Sequence, residues 1–285
     1  MDVIRRFSKP VLRRPRAVIS FEGWNDAGEA ASGAAEFLLA WSSVTEPFAV
    51  IDPEEFYDFQ VRRPHAVLED GGTRSLTWPM TRFYAVEVPS EDRDLVVVLG
   101  EEPSFRWRTY ARYLTQVLSE LDVEAVVLLG AFAGQVAHTR PVPVIGVATD
   151  PALVDRHRLL HSTYEGPTGI LAVLQEACRE VGLPAISLWA AAPHYLASNP
   201  NPKASLALAS KTAEILGLDL DMTPLRSTAD EFEREVAAAM EASGDLAEYV
   251  AGLESDHNTG IDVIDRHAEA ALVDEIESFL KGQDR

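Results

Sequence analysis

Short apolar runs alternate with segments of helical periodicity over the first three quarters of the chain. Residues 17–21 (AVISF), 47–51 (PFAVI), 95–100 (LVVVLG), 125–130 (AVVLLG), 143–150 (PVIGVATD) and 185–192 (AISLWAAA) read as strands. The runs without polar alternation are those of a sheet covered on both faces. Asp26, with Glu29 three residues later, forms a capping-box pattern. The helix it opens is built from Ala27, Gly28, Ala30, Ala31, Gly33, Ala34 and Ala35, whose small side chains let its backbone lie close to another element. A second helix, capped by Ser104, places Tyr110, Leu114, Val117, Leu118 and Leu121 on one face. A third, capped by Thr168, aligns Ile170, Leu171, Leu174, Ala177, Cys178 and Val181 before Gly182 and Pro184 end it. Residues 203–216 form a fourth, stopped by Gly217.

Other segments break the alternation. Residues 52–64 form a polar and aromatic connection, and residues 74–78 and 82–88, split by Pro79, read as a short antiparallel excursion. Residues 193–202 are too rich in proline for regular structure. Beyond Met222 no strand-like run remains. Acidic amphipathic helices are expected there, with a cap within residues 227–230, apolar Val236, Met240 and Leu246, and breaks at Gly244 and Gly260. A last helix from about Arg266 carries Ala270, Val273, Ile276, Glu277 and Leu280. The pattern predicts an α/β body over residues 1–221, with a mostly parallel sheet covered on both faces, and a helical extension over residues 222–285.

Charge narrows the function. The 285 residues carry a formal net charge of −20, which argues against a nucleic-acid partner. Arg5, Arg6, Lys9, Arg13, Arg14 and Arg16 crowd into a basic N-terminal arm, expected to pair with the acidic body or a neighbouring subunit. No apolar run approaches the ~20 residues of a membrane helix, and no secretory signal precedes the body. The single cysteine, Cys178, excludes an internal disulfide. A cytoplasmic protein without membrane contact is the expectation.

Candidate chemistry gathers at predicted strand ends, which in an open α/β sheet converge on one rim. There lie Glu22, Gly23, Trp24, Asn25 and Asp26; Glu101 and Glu102; residues 130–134 with His138, Thr139 and Arg140; Tyr164, Glu165 and Thr168; and His194 and Tyr195. Glu22 and Asp26 read as a carboxylate pair for acid–base work or for a divalent ion, or as a solvated Glu and a capping Asp. Trp24 reads as a ring-stacking platform or an interface anchor. Residues 130–134 match no phosphate-binding fingerprint and read as a tight turn, so no cofactor is expected. His138 and Arg140 fit an anion or a purely structural role, and His194 with Tyr195 an acid–base pair in a rigid loop. The scattered histidines and lone cysteine give no metal site, and no Gly-x-Ser-x-Gly elbow is present.

In combination, residues 21–28 (FEGWNDAG), 137–142 (AHTRPV), 164–169 (YEGPTG), 193–195 (PHY) and 199–203 (NPNPK) resemble the proteasome assembly chaperone 2 family, in particular its actinobacterial-type members. The resemblance covers about residues 15–217. It implies a three-layer α/β/α sandwich similar to nucleoside phosphorylases, self-association as a homo-oligomer such as a trimer, and a helical C-terminal extension. It also implies assembly through protein contacts, with proteasome-related subunits as a partner class and no established reaction. Proteasome-docking relatives share a hydrophobic–Tyr–X tail, whereas this sequence ends Gly282-Gln-Asp-Arg285, so docking by such a tail is not expected. Two functions therefore stand: a non-catalytic assembly or interaction protein, or a binder or hydrolase of a nucleoside-like or glycosidic compound at the rim.

Overall fold

A computed structural model of the chain describes residues 2–69, 72–242 and 244–255. In chain order the elements are β1 (Ile4–Arg6), β2 (Arg16–Glu22), α1 (Ala30–Ser42), β3 (Ala49–Ile51), β4 (His65–Leu68), β5 (Arg74–Thr77) and β6 (Thr81–Val86). Then come β7 (Leu95–Glu101), α2 (Trp107–Glu120), β8 (Ala125–Gly134), β9 (Val144–Ala148), α3 (Pro151–Arg156) and β10 (Leu160–His161). The remainder is α4 (Ile170–Glu180), β11 (Ala185–Pro193), α5 (Pro202–Leu216), α6 (Thr223–Ala242) and α7 (Gly244–Ser255).

The main sheet runs β1-β3-β6-β7-β2-β8-β11-β9-β10. Its centre, β7-β2-β8-β11, is parallel, and it turns antiparallel on both sides, at β6 and β9. In the central register Ile19 lies between Val98 and Leu128. Side chains of β2 alternate between two cores. Ala17, Ile19 and Phe21 join Tyr110 and Leu114 of α2 and Leu171 and Leu174 of α4. Val18 joins the alanines of α1 and Leu208 of α5. The molecule is thus α1 and α5, sheet, α2 and α4: an α/β/α sandwich carrying a small C-terminal helical region.

Several local expectations yield to longer-range partners. β8 continues through residues 130–134 because β11 pairs with it as far as Pro193 opposite Gly134, so no tight turn forms there. Residues 74–77 pair with β4 in a separate ribbon, not with residues 82–88, which join the main sheet as β6. Ser104 does not cap α2; its hydroxyl accepts from the Asp58 amide (3.1 Å). α6 begins at Thr223, whose amide donates to Asp221 (2.9 Å), and runs straight through residues 227–230. α6 and α7 meet around Gly244, where the break was expected. Gly260 and the helix from Arg266 lie outside the described residues. Four of the six basic N-terminal residues pair with the body: Arg5 with Asp52, Arg6 with Glu120, Arg13 with Asp94, and Arg14 with Asp92 and Glu124, whereas Arg16 donates to the Ile215 carbonyl (3.4 Å). Among the described residues, no helix is long and apolar enough to cross a membrane.

The small residues of α1 perform as their size predicts. Ala30, Ala31, Ala34 and Ala35 are fully buried against a face of α5 that includes Ala204, Leu208 and Ala209. A Cβ on Gly33 would stand 2.8 Å from the Ser205 hydroxyl. At Gly28 the backbone is left-handed (φ 65°), its amide donates to Ala197 O and its carbonyl accepts from the Asn201 amide, both at 2.7 Å. A Cβ there would meet that of Asn201 at 2.9 Å. Gly28→Ala is therefore expected to cost about 2 kcal/mol in urea unfolding. A cost no larger than that of Gly182→Ala, where φ is also positive but no atom lies within 4 Å, would contradict this packing.

Candidate functional site

Past the end of β2, the chain turns through Gly23 and re-enters the body at Asn25, which is fully buried. The Asn25 carbonyl accepts from the Ala131 amide (2.7 Å), tying the turn to β8. Its side-chain amide donates to Glu102 Oε1 (2.8 Å), and the same oxygen accepts from the Ile170 amide (2.9 Å). Glu102, reaching across from the loop after β7, is therefore the cap of α4; Thr168 makes no such bond. Gly169 is required beside it, since a Cβ there would stand 2.3 Å from Asn25 Oδ1. Asp26 caps α1 from a distance. Its Oδ1 accepts from the amides of Ala31 (2.7 Å) and Ser32 (3.2 Å), and its Oδ2 from the Ser32 hydroxyl (2.5 Å). Glu29 takes no part in that cap, because a single turn of 3-10 helix separates Asp26 from α1.

Beside this turn lies an open cleft of about 570 Å³. Glu22, Asp26, Glu29 and Glu36 line it, with Arg62 as a cationic counterpart and Asn201 on the opposite wall. Arg62 lies 3.5 Å from Glu101. Carboxylates beside the start of a helix make this cleft unfavourable to a bare phosphate.

The other predicted residues divide into two groups. His138, Thr139, Arg140, His194 and Tyr195 do come together, but beneath the C-terminal helices and away from the cleft lining. Tyr195 Oη bonds the amide (2.9 Å) and Nδ1 (2.8 Å) of His138. His194 Nε2 meets Tyr249 Oη of α7 at 3.1 Å, and the rings of His194, Tyr195 and Tyr249 pack edge to face. The Thr139 hydroxyl donates to the Glu254 carboxylate and Arg140 to the Glu254 carbonyl. Phe232, Val236, Met240 and Val250 complete the apolar part with Ala137 and Leu196. Tyr164, Glu165 and Thr168 form an exposed loop, in which the Tyr164 hydroxyl donates to Pro167 O (2.8 Å). Trp24 is exposed, and like that loop it does not line the cleft.

The PAC2 family profile matches residues 20–240. The chain belongs to the PAC2 family. Solved structures similar to it include a PAC2 family protein from Streptomyces avermitilis, 48% identical with a TM-score of 0.77 over 83% of this chain and 99% of that one. A Mycobacterium tuberculosis proteasome-assembly chaperone homologue is 44% identical, with a TM-score of 0.76 over 82% and 99%. A Pyrococcus furiosus archaeal proteasome activator shares the fold at 20% identity, with a TM-score of 0.64 over 82% and 97%. No protein of curated function matches the chain significantly.

Electrostatics give the cleft of this PAC2 chain its chemical character. Loss of hydration raises the Glu22 carboxyl above its usual range, helped by Glu101, Asp26 and Glu36. Glu36 is raised for the same first reason, then by Asp26 and Glu29. Asp26 is raised by burial, although its bonds from Ser32 and Ala31 pull the other way. Such carboxyls can exchange protons with a ligand, or repel one another in an empty cleft. Among the described residues no His, Cys, Asp and Glu group is placed to hold a metal ion. Burial lowers His138, aided by Lys203, and pushes the Cys178 thiol up to about 12, so neither is poised as a charged catalyst at neutral pH.

Sequence reasoning missed Glu29, Glu36, Arg62 and Asn201 as cleft residues, and Tyr249 and Glu254 as partners of the histidine group. Glu29 and Glu36 were discoverable as acidic positions seven residues apart just after the turn, whereas Arg62 had no local signal. The raised carboxyls bind protons more tightly folded than unfolded, so their lost hydration, and after it their repulsion, destabilises the fold as pH rises through and above about 4. Glu22→Gln is therefore expected to raise the melting temperature at pH 7, less so in high salt, with the gain vanishing at acid pH. A gain independent of pH would contradict the electrostatic origin.

Proposed function

We propose that this protein is a non-catalytic, homo-oligomeric assembly protein that acts through protein contacts, with proteasome-related subunits as its partner class. The observation that carries the reading is the 44% identity, over 99% of its length, to a protein known as a proteasome-assembly chaperone homologue. The site supports it. Glu102 is spent on capping α4, Asp26 on capping α1, and His194 and Tyr195 on holding α7. Polar groups used as ties between loops are poor movable acids and bases, because chemistry would break the bonds that hold the rim.

One observation keeps a second reading in view. The 570 Å³ cleft, with Glu22 raised beside it, has the size of a small-molecule site and would suit a nucleoside-like or glycosidic compound cleaved by water. The two readings separate in one reconstitution. Proteasome subunits from the same cell, mixed with the purified protein, are expected to form a co-eluting complex and to assemble faster than alone. Absence of any complex, together with a nucleoside or glycoside turnover lost in Glu22→Gln, would replace the first reading by the second.

A further inference from the structure

Beneath the C-terminal helices, His138 is held by a bonding pattern that a neutral imidazole satisfies and a charged one does not. His138 is 7% exposed and Tyr195 1%. Tyr195 Oη accepts the His138 amide hydrogen (2.9 Å) and lies 2.8 Å from Nδ1 of the same residue. With that oxygen already accepting, the phenol hydrogen goes to Nδ1, so the bonding assigns the ring proton to Nε2. A second ring proton would aim Nδ1–H and the amide N–H at one oxygen, and turn the phenol hydrogen away from the imidazole.

Charges on α5, α6 and α7 face this residue. From α5, Lys203 Nζ donates to the His138 carbonyl (2.5 Å) and pairs with Glu233 of α6. From α7, the Glu254 carboxylate accepts from the Thr139 hydroxyl, and the Glu254 carbonyl accepts from Arg140 (2.5 Å). Glu233 and Glu254 favour an imidazolium. Burial, and after it Lys203, oppose one and prevail, which holds His138 below the ordinary histidine range. The path from His138 to α7 is short. The Tyr195 ring packs edge to face on Tyr249 of α7 (6.3 Å), and the 138–140 turn carries both bonds to Glu254.

We propose that His138 is an acid-sensitive latch: while its imidazole is neutral α7 stays on the rim, and protonation releases α7 and uncovers the apolar surface of Tyr195 and Leu196. Once α7 lifts, His138 meets water and regains its ordinary proton affinity, so acid favours the released form. The docked form is fully favoured above about pH 6.5 and loses ground as pH falls below it.

The test is hydrogen–deuterium exchange of the full chain at about pH 7.5 and about pH 5.5, corrected for the pH dependence of chemical exchange. Protection of α7 is expected to fall about threefold or more at the lower pH, while that of β2 and β8 stays unchanged. In His138→Gln the side-chain oxygen accepts the Tyr195 hydrogen but takes up no proton, and α7 is expected to keep its protection at both pH values. His194→Gln is expected to loosen α7 at both pH values, since His194 Nε2 meets Tyr249 Oη, and to keep the acid response. Should His138→Gln fold poorly, a histidine NMR titration of the wild type gives an independent reading. The His138 ring is expected to titrate below about 6.5, with the same midpoint as the loss of α7 protection. Protection of α7 that ignores pH, an acid response kept in His138→Gln or abolished in His194→Gln, or a fall shared by β2 and β8 overturns the latch. So does a His138 midpoint at or above about 6.5.

Discussion

Helix α1 can lie flat on α5 because alanine and glycine replace larger residues along the contact, and each further element is placed by that closeness. The Gly28 amide and carbonyl both bond to the segment leading into α5, at Ala197 and Asn201. This fixes the turn of residues 23–26 against the 199–205 segment and leaves the acidic cleft between them. α5 in turn supports α6, where Lys203 pairs with Glu233. α6 then carries α7 onto the His194–Tyr195 pair. A bulky residue at Ala30, Ala31, Gly33 or Ala34 would therefore disturb the cleft and the helical appendage together.

The rim that this packing creates is polar yet heavily committed. One carboxylate oxygen of Glu102 joins three segments: the loop after β7, the turn at Asn25 and the start of α4. Asp26 holds the first turn of α1. The Asn25 Oδ1 atom is buried with no hydrogen-bond partner, a cost the turn tolerates to keep its amide on Glu102. Catalytic rims usually leave some polar groups free to meet substrate. Here the free ones are Glu22, Glu29 and Glu36, which share one sign; lost hydration raises Glu22 and Glu36, with Glu36 adding to the first and Glu29 to the second. The arrangement suits holding a shape for another surface better than it suits turning over a small molecule.

The fold was largely legible because its strands are dense apolar runs, and AVISF, LVVVLG and AVVLLG each occupy the parallel centre. What escaped was set by partners distant in sequence. β1 (IRR) and β4 (HAVL) are too short to show a pattern of their own, and only their pairing with β3 and β5 makes them strands. Thr168 looked like a cap by position, but Glu102 supplies that bond from 68 residues away. His138, Thr139, Arg140, His194 and Tyr195 were rightly read as neighbours and could not be seen to be covered, since Tyr249 and Glu254 lie in a segment whose docking direction no local pattern encodes. Glu22 and Asp26 were read either as a carboxylate pair or as a solvated Glu beside a capping Asp, and the second reading holds for Asp26. The structure separates their roles, one open to the cleft and one bonded to a helix end.

The proposed mode of action for this PAC2 chain is contact and not turnover. Native mass spectrometry of the protein isolated gently, at low salt, from its own cells tests it most directly. Several copies of the chain in one particle, with a fraction carrying a proteasome-related subunit, are the expected result. A single unliganded copy, or one copy carrying a small molecule in a fixed ratio, would contradict it.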